Sequence, residues 1–327
     1  MPEPLVAVGA PAVAARRRLR FAFLLNLTLL GLLGLMWAGL SLGTDSFATF
    51  GNFTNLLRQG SIWAIMAVGQ TFVIITAGID LSAGAVVGVA GTVVALLMKS
   101  GVPVPLAILA TLGFGVAVGW VHAFGIVRMG LPPFIMTLAS LTALRGIGLL
   151  MTNGQTIAGL PAEFSALARD SSFGIPNLFL AVIAVAVPCH LLLHHSRWGR
   201  HLYAVGSNRE AARLSGIRVT RVLYLAYILS ATLSALAGIL TTARIGIGVA
   251  TTGDGWELQA IASSVIGGAS LFGAVGSVPG PLLGAMLLTT INNGANLLNI
   301  NPFWQRIVTG GLIVAIVYLD QLRRPKR

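Results

Sequence analysis

The chain has 327 residues, of which 56% are hydrophobic and 9% charged, against roughly a quarter charged in an ordinary soluble domain. Nine acidic and 21 basic residues are too few to cover a globular body of this size, so a water-soluble fold is excluded and the bilayer becomes the solvent. The net charge of +12 does not indicate nucleic acid: the basic residues cluster in three places, apolar runs separate them, and aromatics are not interleaved with them as a nucleic-acid platform requires.

The first cluster, Arg16, Arg17, Arg18 and Arg20, forms a basic tail over 1–20. The apolar stretch 21–42 behind it is too long for a secretory h-region of roughly 7 to 15 residues, and no small-residue cleavage site ends it, so it reads as a retained first span. A helix needs about 20 apolar residues to cross the hydrocarbon. Runs near that length fall at about 21–42, 55–77, 84–98, 104–126, 131–151, 177–195, 222–243, 257–275, 278–298 and 303–320. They predict an all-α, polytopic membrane protein with about 10 transmembrane helices (range 8–11), in a single domain over 21–320. The range reflects the short third run and the glycine-rich stretch 273–280, which alone divides the eighth run from the ninth.

With ten spans and a cytoplasmic N-terminus, 15 basic residues lie on the cytoplasmic side, five on the other, and Arg145 within a span. That bias places both termini, including the basic tail over 321–327, in the cytoplasm. Two connections are long: an outer one over 152–176 and an inner one over 196–221, which carries six arginines. In the inner loop, 208–217 reads as a short amphipathic helix, capped near Ser207 or Asn208 and ended by Gly216. A helix lying free on lipid is one reading of it.

Enzymatic chemistry finds little support. Lys99 and Lys326 follow Met98 and Pro325, so no Gly-Lys-Ser/Thr phosphate loop exists, and any ATP is handled by a partner. His122, His190, His194, His195 and His201 lack zinc-protease spacing, Cys189 is alone, and no paired nucleophile and base lies at span depth. The expectation is therefore no catalytic residue, no metal site and no cofactor.

Acidic residues at membrane depth are costly, which singles out Asp80 within Gly78-Ile79-Asp80-Leu81-Ser82-Ala83-Gly84. Two readings stand: Asp80 or Ser82 caps the helix restarting near 84, or Asp80 touches substrate or a gate. Glu257 and Asp254, at the outer edge of the eighth run, read as solvated. Asn292, Asn296 and Asn299 share i, i+4, i+7 spacing, with Asn293 beside them, and either join helices or line a hydrated path. Gln59, Gln70, Thr71, Ser230, Ser234 and Gln259 are further polar candidates, whereas Gly84, Gly88 and Gly91 read as close-packing positions.

From about residue 50 onward the chain resembles the ribose-type sugar permeases of bacterial ATP-binding-cassette importers. The matching stretches are 69–76 running into GIDLSAG at 78–84, Pro133-Phe134-Ile135-Met136-Thr137-Leu138 with Arg145-Gly146, Gly154-Gln155-Thr156-Ile157, the inner loop from Gly199 to Gly216, and Ala262 to Pro281. The resemblance implies that Glu210, Ala211, Ala212 and Gly216 dock on a cytoplasmic ATPase. It implies a second permease subunit and an extracytoplasmic sugar-binding protein received near the outer loop, all in a bacterial inner membrane. On this reading Gln70, Asp80, Ser82, Asn292, Asn296 and Asn299 are candidates for the sugar path or its gate. The competing readings are a self-contained secondary transporter, and an importer permease for branched-chain amino acids or nucleosides.

Overall fold

The structure is a computed structural model and describes residues 10–322, with side chains from Leu24 onward apart from several in the last helix. The side chains of Arg16, Arg17, Arg18 and Arg20, and the tail 323–327, lie outside the described residues. A helix stands at each of the predicted runs: α1 (Ala10–Gly43), α2 (Phe50–Ile75), α3 (Ala83–Lys99), α4 (Val104–Val127), α5 (Pro133–Thr152), α7 (Asn177–His195), α10 (Val219–Ile245), α11 (Trp256–Ile266), α12 (Pro279–Leu297) and α13 (Pro302–Leu322). The protein is all-helical and polytopic: α1, α4, α5, α7 and α10 are each long and apolar enough to cross a membrane. Residues 10–20, expected as a tail, run on as the first turns of α1.

Burial sorts the helices. α2 and α10 form the centre, α10 packing on α2, α3 and α4, and every residue of α2 from Gly60 to Ile75 is buried. α4 and α5 instead leave Leu106, Leu109, Phe134, Ile135 and Leu150 exposed along their outer faces. Such faces would aggregate in water and match hydrocarbon in a bilayer.

Both long connections contain structure. The 152–176 segment holds α6 (Ala162–Arg169) and a hairpin of β1 (Ser171–Ser172) and β2 (Ile175–Pro176), at one end of the bundle. The 196–221 segment, at the opposite end, holds α8 (Arg197–Ser207) and α9 (Arg209–Leu214). α8 was absent from the sequence reading because its apolar positions, Leu202 and Val205, are too few to stand out beside the spans.

Three expectations are corrected. The eighth run is not helical to residue 275: α11 ends at Ile266, because the Gly267 backbone packs on Gly280 and Pro281 and Gly268 takes a left-handed conformation (φ +91°). Asn299 is not on a helical face with Asn292 and Asn296; α12 stops at Leu297 and Asn299 lies beyond it at φ +54°. Glu257 is not solvated: it is 9% exposed, tucked against Gly84, while Asp254, with its side chain 81% exposed, is solvated as expected.

Candidate functional site

The chain breaks helical geometry between α2 and α3, and the break is a closed polar knot. Thr76 is the C-cap of α2, Ala77 takes a left-handed φ of +57°, and the chain turns back into the bundle to reach Asp80. Asp80 Oδ1 accepts from the Ser82 amide at 3.0 Å and from Ser82 Oγ at 2.6 Å; Oδ2 accepts from Ser230 Oγ of α10 at 2.8 Å. Gln70 of α2 completes the frame. With its amide oriented to satisfy both groups, Nε2 donates to the Asp80 carbonyl at 3.2 Å and Oε1 accepts the Asp80 amide at 3.1 Å.

The knot reaches two further helices, since Thr137 Oγ1 of α5 donates to the Ile79 carbonyl at 3.1 Å and Tyr227 of α10 packs on Gly78. Gln70, Asp80, Ser82, Thr137 and Tyr227 are all fully buried. An unpaired backbone group at this depth costs about 1–3 kcal/mol, and here Gln70 of α2, Thr137 of α5 and the Asp80 carboxylate itself replace missing helical bonds. Ser82 stands at the N-cap of α3 but makes no capping bond; its hydroxyl donates to Asp80, and the Asp80 carboxylate takes up the Ser82 amide. The capping chemistry thus falls to Asp80, with Ser230 of α10 as its second partner.

A second break adjoins the first. After α10, residues 246–255 run non-helically along α3, from Gly248 beside Gly91 and Ala95 to Gly253 beside Gly84. A Cβ at Gly88 would collide with the Ala250 and Thr252 carbonyl oxygens. Gly84, Gly88 and Gly91 therefore serve close backbone packing. Arg145 of α5 holds the same segment, its Nη1 donating to the Thr252 carbonyl at 3.0 Å and the Ala250 carbonyl at 3.3 Å.

The α8–α9 bracket meets the first break directly. Asn208 caps α9, its Oδ1 accepting from the Glu210 amide at 3.0 Å and the Ala211 amide at 2.9 Å. Gly216 closes the turn after α9 at φ +82°, a conformation that favours glycine, while the Ile217 amide donates to the Ala212 carbonyl at 3.0 Å. α9 buries Ala212 and turns Glu210, Ala211, Arg213 and Leu214 outward, Leu214 being 79% exposed. Glu210 and Arg213 form an exposed ion pair at 2.6 Å, and the Arg213 guanidinium is held above its usual range by its hydrogen bond to Glu210.

Beneath that face Arg209 Nη2 donates to the Thr76 carbonyl at 3.3 Å. Tyr203 Oη donates to the Gly276 carbonyl at 2.7 Å, and the Ala274 amide donates to the Ile75 carbonyl at 2.9 Å. The bracket thus rests on the end of α2, four residues before Asp80. Arg209 had no distinguishing signal in the sequence, because its partner is a main-chain carbonyl 133 residues away.

The asparagines lie elsewhere. Asn293 exchanges both amide hydrogen bonds with Asn52 of α2, at 2.7 and 3.1 Å, and so joins α12 to α2. Asn296 Oδ1 accepts from Gln305 of α13 at 2.7 Å, and Asn292 is half-buried. Gln70, Asp80 and Ser82 are brought together; Asn292, Asn296 and Asn299 are not part of that cluster. Among the described residues no group of three or more His, Cys, Asp and Glu side chains is arranged to hold a metal ion.

Comparison with known proteins places this architecture. The family model described as "Branched-chain amino acid transport system / permease component" matches residues 52–317. The ribose import permease protein of Bacillus subtilis is 41% identical over 272 residues, covering 83% of this chain and 84% of that protein. The ribose import permease protein of Escherichia coli strain K12 is 37% identical over 316 residues, covering 95% and 98%. The xylose transport system permease protein of Haemophilus influenzae is 34% identical, covering 90% and 95%. The chain belongs to this family of importer permeases. No solved structure matches it.

Proposed function

We propose that the chain is the membrane permease of an ATP-binding-cassette importer and forms the path for a monosaccharide or related polyol. Support for a sugar comes from the relatives, which are named for ribose, D-allose, xylose and galactose, in preference to the amino acids in the family's description. On this reading the chain crosses the inner membrane ten times with both termini in the cytoplasm, and has no catalytic site of its own. It pairs with a second permease subunit, receives sugar from an extracytoplasmic binding protein at the α6 end, and leaves ATP to a cytoplasmic ATPase.

The observation that carries the mechanism is the physical link from α9 to Asp80. Glu210, Ala211 and Gly216 dock the bracket on the ATPase, while Ala212, expected among them, is buried and seats α9 from beneath; Arg209 passes the movement to Thr76 and thence to the break that Gln70, Asp80, Ser82 and Ser230 hold closed. Side-chain hydrogen bonds can exchange partners without unfolding a helix, so the break is a bistable element that an ATPase bound differently in two states can bias. Asn292, Asn296 and Asn299 are the weaker path candidates, since Asn293 beside them joins helices.

The test is uptake of labelled ribose, xylose, allose and galactose into vesicles containing the permease, its ATPase and its binding protein. Glu210→Lys should abolish ATP-dependent uptake with the protein still folded in the membrane. Uptake that proceeds without the ATPase would overturn this reading in favour of a secondary transporter.

A further inference from the structure

The bracket carries more positive charge than its internal contacts use. Of its six arginines, Arg213 pairs with Glu210 and Arg209 donates to the Thr76 carbonyl. The side chains of Arg197, Arg200, Arg218 and Arg221 have no hydrogen-bond or ion-pair partner among the described residues. Three of these four converge, since Arg197, Arg218 and Arg221, with Trp198, His201 and Gly216, line one cavity of about 270 Å³. No acidic residue lines it, and Glu210, the only acid of the 196–221 segment, is committed to Arg213.

Convergent guanidinium groups match the oxygens of a phosphate through paired N–H donors. The position of the cavity distinguishes the sources of phosphate. Arg197 lies two residues past the end of α7; Arg218 immediately precedes α10 and Arg221 is in its first turn, and both helices are apolar enough to span. The three cations therefore sit at the ends of two helices apolar enough to span. α8 buries Gly199, Leu202 and Val205 and turns Arg197, Trp198 and Arg200 outward, and an indole 41% exposed at that level is the usual companion of lipid headgroups.

We propose that this cavity binds the phosphate of an anionic phospholipid headgroup. The binding itself does not depend on what the permease carries. Its consequence rests on the docking proposed above: Gly216 lines the cavity and ends α9, so an occupied site holds the base of the docking helix in one place.

The full chain, purified and delipidated in detergent, is titrated with fluorescent phosphatidylglycerol or phosphatidylcholine, with inorganic phosphate as competitor. Phosphatidylglycerol should bind in preference to phosphatidylcholine. R218Q/R221Q should weaken it about fivefold or more per arginine, and R200Q, outside the cavity, should leave it unchanged. Should the double variant fail to fold, R197Q alone gives the same reading. Equal binding by wild type and cavity variants overturns the proposal. Inorganic phosphate competing as strongly as the lipid would make this a soluble-phosphate site instead. Loss of ATPase association in the variants, with lipid binding intact, would assign the arginines to an acidic partner surface.

Discussion

The two breaks in the helical bundle both lay irregular backbone against the start of α3, yet they are held by different means. Residues 76–82 are held by side chains: Asp80, Ser82, Gln70, Ser230 and Thr137 supply directional bonds from α2, α5 and α10. Residues 246–255 are held largely by shape, their carbonyls pressed on Gly84 and Gly88, with the reciprocal Gly248–Ile157 main-chain bonds and Arg145 as polar clamps. Directional bonds can be exchanged for others of similar energy, whereas close packing has no alternative arrangement at low cost. Only the first break is tied to α9. On the proposed function the polar break is the element that moves, and the packed break the frame it moves against.

The sharpest way to break the contrast is to fill the packed one. Gly88→Val places methyl groups in the Ala250 and Thr252 carbonyls and should destabilise by about 3 kcal/mol or more. The monodisperse fraction recovered on size exclusion in detergent should collapse. At the polar break, Asp80→Ala strands the Ser82 amide and the hydroxyls of Ser82 and Ser230, a cost of about 3 kcal/mol. Asp80→Asn keeps an acceptor oxygen and should recover much of that stability. If Asp80→Asn restores the thermal midpoint but not uptake, the carboxylate itself serves the gate; recovery of both assigns it to the helix break alone.

Arg145→Gln tests the clamp. It removes a cation donating to two carbonyls and should cost about 2 kcal/mol, read as a lower midpoint with the transport kinetics of the remaining folded protein little changed. Asp254→Asn should shift the midpoint by less than about 0.5 kcal/mol, because Asp254 is 3.8 Å from Arg145 and its side chain 81% exposed.

The contrast also explains what the sequence disclosed. Apolar runs mark helices wherever lipid or core demands twenty such residues, so the helical segments and the α9 cap at Asn208 are legible from local pattern. Glu257 and Asp254 have the same local surroundings, and only the arrival of Gly84 from α3 buries one and leaves the other in solvent. The Asn52 and Asn293 amides meet across 241 residues, and nothing near either predicts the other. The end of α11 at Ile266 depends on Gly267 meeting Gly280 and Pro281, a contact between two helices and not a property of one. At the site, Asp80 was visible because a carboxylate at membrane depth needs a reason, whereas Ser230 and Arg209 acquire roles only from the chain segment they face.

A further modest effect concerns how firmly the bracket is seated. Tyr203 of α8 donates to the Gly276 carbonyl in the loop after α11, and burial pushes its hydroxyl up to about 12. Tyr203→Phe removes one neutral hydrogen bond and should cost about 1 kcal/mol. The raised value gives a second reading with a definite sign. The folded chain keeps this proton where an unfolded tyrosine, titrating near 10, has lost it, so the contribution is complete below about pH 10 and is lost as pH rises toward 12. The wild type should thus lose more stability than Tyr203→Phe over that window, and its advantage of about 1 kcal/mol should be gone before the top is reached. Parallel melting curves across the window would mean that the hydroxyl is wetter than its contacts imply. In that case Arg209 and the close packing of Gly206 on the Ile75 carbonyl would seat the bracket on α2.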